Sequence, residues 1–134
     1  MDRETVDRWL SRAGFATEPA RDGAVLVVAA PRSSTNAAHL GALPPLYMQL
    51  TENWVLLSML PMVDAKGFVP DDVNRRLLAV NREMRIAKFA LDGAGSVVLC
   101  AELPTESLDE SELTSAIDRI VEYAREFDGG RGIL

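Results

Sequence analysis

The strongest constraint on the fold lies between Arg85 and Phe127, where two strand-forming runs and one amphipathic helix follow one another with the punctuation each needs. The runs 85–91 and 96–103 flank Asp92-Gly-Ala-Gly95, and glycine supplies the positive φ of a tight antiparallel reversal. Leu113, Ile117, Ile120, Val121, Ala124 and Phe127 then recur on one helical face. Asp109 stands where an N-cap belongs, Glu112 follows three residues later as in a capping box, and Leu108 and Leu113 are placed as a hydrophobic staple. A hairpin followed by a helix with one apolar stripe buries that stripe on the sheet, which makes the class α+β.

The remaining elements fit the same scheme. Val6, Trp9, Leu10 and Ala13 predict a helix over residues 2–13, stopped by Gly14. Phe15 to Pro19 reads as a short strand or a bend, and the β-branched run 24–30 as a strand after the turn Arg21-Asp-Gly23. Residues 31–41 have no periodicity and form the main loop. Runs 46–51 and 54–60, separated by Glu52-Asn53, predict a second hairpin, which Lys66-Gly67 ends. Pro70-Asp-Asp72 opens a helix carrying Val73, Leu77, Val80 and Met84 on one face, expected to end near Asn81. The order is α-β-β-β-α-β-β-α: a single antiparallel β-sheet packed with helices. The expected organisation is one domain over 1–128 and a flexible tail over 129–134, because Gly129-Gly-Arg-Gly132 has little to hold it.

Several function classes are excluded on inventory. The N-terminus lacks the basic start and apolar stretch of a secretory signal, and no apolar segment approaches the roughly 20 residues that span a bilayer. With one cysteine, Cys100, no intrachain disulfide forms, so the expectation is a cytoplasmic protein. The net charge is −6, and residues 102–134 carry nine acidic against three basic groups, which disfavours nucleic acid. Arg75, Arg76, Arg82, Arg85 and Lys88 form the one basic cluster, interleaved with Asp71, Asp72 and Glu83 as on a solvated helix face.

The chemical inventory is thin. One histidine, His39, and one cysteine fall in different elements, too few donors for a zinc site and without the local spacing of a nucleophile and its base. Asp118, Glu122 and Glu126 line a helix ridge, but no calcium-loop pattern accompanies them. The glycines at 93–95 and 129–132 precede no helix and cradle no phosphate. No catalytic residue, metal or cofactor is therefore expected. What remains is apolar surface: the runs 25–29, 55–60 and 97–101 are apolar on both alternating faces, whereas a sheet with one wet face alternates. Something should cover the second face, whose members by alternation are Tyr47, Gln49, Leu56, Ser58, Lys88, Val98 and Cys100. Met48, Met59 and Met62, with Tyr47 and Trp54, enrich the central hairpin in side chains that adapt to varied partners.

The pattern Leu77-Leu-Ala-Val-Asn81, then Ala87-Lys-Phe-Ala-Leu-Asp92 with Gly95, then Leu99-Cys-Ala-Glu-Leu-Pro104 and Leu108-Asp-Glu-Ser-Glu-Leu113, resembles the YbjN-like proteins and the related type III secretion chaperone-like fold. The resemblance covers roughly residues 68–127. It implies a compact, often dimeric bacterial domain that binds extended segments of other proteins or acts in regulation, and carries no catalytic residues over. The expected function is thus non-enzymatic protein binding by a chaperone-like or regulatory homodimer whose partner is an effector or regulator segment. The rival is a small-ligand sensor or weak enzyme using the 31–43 loop around His39.

Overall fold

The computed structural model describes residues 1–31, 36–63 and 71–133. Helix α1 (Arg3–Arg12) leads into strands β1 (Phe15–Pro19) and β2 (Val25–Ala29), followed by the short helix α2 (Asn36–His39) and a 3-10 turn over Leu40–Ala42. Strands β3 (Leu46–Leu50) and β4 (Trp54–Val63), helix α3 (Asp71–Glu83), strands β5 (Lys88–Leu91) and β6 (Val97–Pro104), helix α4 (Glu110–Glu126) and a 3-10 turn over Asp128–Gly130 complete it. The six strands form a single antiparallel sheet in the order β1-β2-β3-β4-β6-β5.

The sheet and its helices are as the sequence predicts, with one strand and one short helix more. Phe15–Pro19 resolves as a full strand, paired with β2 from Phe15↔Ala29 to Pro19↔Val25. Part of the loop, 36–42, is helical, while 32–35 and the hairpin end at Lys66-Gly67 lie outside the described residues.

Alternation divides the sheet into two faces. Val27, Leu46, Met59, Leu99 and Phe89 lie in one cross-strand row, all buried, on the face covered by α1, α2 and α4. Leu10, Phe15, Met48, Leu57, Ile117, Ile120 and Val121 join them in one apolar cluster. Each buried aliphatic side chain contributes on the order of 1.5–3 kcal/mol, so this layer dominates the stability.

Helix α4 is seated as its cap residues dictate: Asp109 accepts a hydrogen bond from the Glu112 N–H at 2.7 Å, and Leu108 and Leu113 are both buried. Replacing Asp109 with alanine strands that N–H and should cost about 1 kcal/mol in urea denaturation. A change below about 0.3 kcal/mol would mean that the carboxylate caps nothing in solution.

Two expected boundaries shift. Helix α3 runs on to Glu83, and β5 begins only at Lys88. Between them Ile86 takes φ 70° in a three-residue turn closed by Ala87 N–H to the Arg85 carbonyl, 2.8 Å, which sharply separates the elements. The tail is also corrected. Gly129, Gly130 and Gly132 all have positive φ and fold the chain back, so that Ile133 is fully buried in the core and its carbonyl accepts from the Arg76 guanidinium at 3.3 Å.

Candidate functional site

The seven alternation residues fall on one face, the one turned away from α1, α2 and α4. Register makes the row explicit: Glu18, Leu26, Tyr47, Ser58, Cys100 and Lys88 are successive cross-strand partners from β1 to β5. Gln49, Leu56 and Glu102 form the next row, and Val98 pairs with Ala90. Tyr47, Leu56, Ser58 and Cys100 are half-buried, while Gln49 and Lys88 are exposed. Val98 differs: it is 8% exposed, yet stands apart from the main core cluster.

This face has an apolar centre and a polar margin. At the β2–β3–β4 end, Pro19, Leu26, Pro45, Tyr47, Leu60 and Pro61 wall an open hollow of about 680 Å³. Leu26, Leu60 and the three prolines were not among the predicted contacts. Leu26 and Leu60 share the parity of Tyr47 and Ser58, so the same alternation could have found them. The prolines are placed by tertiary structure alone.

Cys100 sits on this face between Ser58 of β4 and Lys88 of the edge strand β5. Its thiol lies 3.6 Å from the Lys88 carbonyl, and burial, then the neighbouring Glu102 carboxylate, push its pKa above the ordinary thiol value. Since the thiolate is the nucleophile, alkylation of Cys100 by iodoacetamide at pH 8 should run slower than in the unfolded chain and accelerate as pH rises further. A segment bound on this face should slow it again; equal rates in the folded and unfolded chain would contradict the sheltered position.

The other candidates do not converge. His39 ends α2, which packs on β2 and α4, the side of the sheet opposite to Cys100. Among the described residues, no group of three or more His, Cys, Asp or Glu side chains could hold a metal ion. Much of the basic cluster is engaged with α3. Arg76 pairs with Asp72 at 3.5 Å and Arg82 with Glu83 at 3.2 Å. Arg85 donates to the Arg82 and Met84 carbonyls and Lys88 to those of Asn81 and Met84, completing the helix C-terminus with positive charge. No helix among the described residues is long and apolar enough to cross a membrane.

An antiparallel sheet carrying helices on one face and a half-buried apolar strip on the other defines an α+β fold with one open sheet face. Residues 56–130 match the family described as T3SS (YopN, CesT) and YbjN peptide-binding chaperone 1, and the chain belongs to that family. No curated protein matches it. Among solved structures it is similar to a chain of the heterodimeric ExoU–SpcU complex from the type III secretion system of Pseudomonas aeruginosa. That match has 25% identity over 96% of this chain and 97% of the other, with a TM-score of 0.62. It shares its fold with YbjN of E. coli at 16% identity, over 95% and 91% of the two chains, with a TM-score of 0.65. It also shares it with a structure of the Yersinia pestis type III secretion chaperone SycH in complex with a fragment of YscM2. There the identity is 13%, over 92% and 96% of the chains, with a TM-score of 0.57.

Proposed function

We propose that this protein is a non-enzymatic, cytoplasmic chaperone-like binding protein that holds an extended segment of an effector or regulator against the open face of its sheet. The observation that carries this reading is the row Leu26, Tyr47, Ser58 and Cys100, half-buried side chains on the face opposite α4. An extended segment laid across it removes apolar area from water and reaches the hollow between Pro19 and Pro61. Selection from a displayed library of random 20-residue peptides, followed by amide chemical-shift mapping of the selected binders, tests the placement. Shifts centred on β3, β4 and β6 support it. Shifts confined to α2 and His39 would replace it with the small-ligand reading.

The protein acts as a homodimer through a second surface. Leu78 on α3 is 72% exposed and Leu91 on β5 46% exposed, and both border a groove between the two elements. Such apolar side chains grouped at one flank suit a self-complementary contact. Leu78→Glu should weaken self-association about tenfold or more in sedimentation equilibrium, while shifting unfolding by less than about 0.5 kcal/mol because the side chain is largely in water. A wild-type protein that stays monomeric at high micromolar concentration removes the dimer and leaves the open face untouched.

A further inference from the structure

Strand β5 is an edge strand of four residues, and its outer backbone groups at Phe89 are already occupied. Pairing is established on its inner side: Lys88, Phe89, Ala90 and Leu91 face Cys100, Leu99, Val98 and Val97 of β6. On the outer side, the Phe89 N–H donates to Asn81 Oδ1 at 2.8 Å and the Phe89 carbonyl accepts from Asn81 Nδ2 at 3.0 Å. A side-chain amide has the same donor and acceptor as a peptide group. Asn81 thus makes with Phe89 the two bonds that a residue of a neighbouring strand would make. Asn81 is itself held, since the Lys88 ammonium bonds its carbonyl at 2.6 Å and the Met84 carbonyl beside it.

We infer that Asn81 locks the β5 edge, closing it to strand pairing with the β5 edge of a second copy. Exposed edges pair with other chains unless charge, proline, a bulge or a covering element prevents it. The opposite edge has such protection: β1 carries Glu18, ends in Pro19, and its Thr17 hydroxyl accepts from the Arg3 guanidinium at 3.3 Å. The β5 edge has no proline, its one charge, Lys88, is drawn back onto the Asn81 and Met84 carbonyls, and its flank carries the exposed Leu78 and Leu91. An antiparallel meeting of two β5 edges is self-complementary about a two-fold axis, so a second copy is the fitting occupant. The inference is independent of what the open face binds, and it assigns to Asn81 the task of keeping self-association to side-chain contacts and away from sheet extension.

Alternation supplies a clean test. Phe89 points its peptide groups outward, and Asp92 N–H turns inward to the Ser96 carbonyl, so Leu91, two residues from Phe89, also points its N–H outward. Leu91→Pro therefore blocks strand addition without removing a bond to β6. In Asn81→Ala diluted until it is monomeric, amide exchange at Phe89 should accelerate about tenfold or more while Ala90 stays protected. Sedimentation velocity should show a mass above that of wild type at equal concentration, and Asn81→Ala with Leu91→Pro should return it to the value of Leu91→Pro alone, which carries the same loss of the Leu91 side chain. A faster Phe89 amide with unchanged mass overturns the lock, as does extra association that survives Leu91→Pro. Should Asn81→Ala fail to fold, Asn81→Ser is read in the same way; if neither folds, Asn81 maintains the fold rather than guarding the edge, and the inference falls.

Discussion

Replacing Ile133 with alanine should lower the unfolding free energy by about 3 kcal/mol, the usual cost of emptying a fully buried aliphatic site. The side chain is completely excluded from solvent and belongs to the same cluster as Leu57, Leu99 and Ile117. Three backbone features put it there: Gly130 and Gly132 turn the chain through φ 89° and 78°, Ile133 N–H bonds the Gly130 carbonyl at 3.0 Å, and Arg76 anchors the Ile133 carbonyl. Urea denaturation should show a lower midpoint at unchanged slope, since the surface exposed on unfolding hardly changes. Arg131→Ala, two residues away and exposed, should stay within about 0.5 kcal/mol of wild type. An Ile133→Ala protein as stable as Arg131→Ala would restore the tail to the solvent.

That residue also shows where sequence reasoning stops. Local signals carried through wherever a side chain answers to its neighbours along the chain. Asp109 caps α4 because a carboxylate three residues before an orphan N–H can reach it, and the parity of Tyr47, Leu56 and Cys100 follows from the two-residue period of a strand. Gly95 has φ 86° in a reversal where Asp92 Oδ1 accepts from both Ala94 and Ser96 N–H, as the Asp-Gly-Ala-Gly composition implies. The glycines at 129–132 have the same composition signal as a frayed end; only the core they fold back onto distinguishes the two. Asn81 is a second case. Asparagine near a helix end reads as a stop signal, but its amide reaches across to Phe89 and the helix continues past it to Glu83. The exposure of Ile86 at φ 70° runs against β-branched preference, so no local rule anticipates it.

The open face yields the second large effect. Leu56→Lys should weaken a selected peptide about 30-fold, the loss expected when a central apolar contact of about 2 kcal/mol is removed and a charge must be desolvated. Leu56 is the better probe than Val98, because Val98 is 8% exposed and a charge there would be buried without a partner, confounding binding with folding. Lysine is the better charge than aspartate. Position 56 lies directly across from Glu102, and opposite charges on facing strands attract, whereas a second carboxylate would repel. The folded state should therefore tolerate Leu56→Lys, with an unfolding midpoint near wild type. Calorimetry with the selected peptide then separates the outcomes: full affinity in a folded Leu56→Lys protein moves the binding surface off this face. Loss of affinity together with slower Cys100 alkylation in the wild-type complex places the segment across β4 and β6, because Leu56 and Cys100 sit on adjacent strands of that one surface.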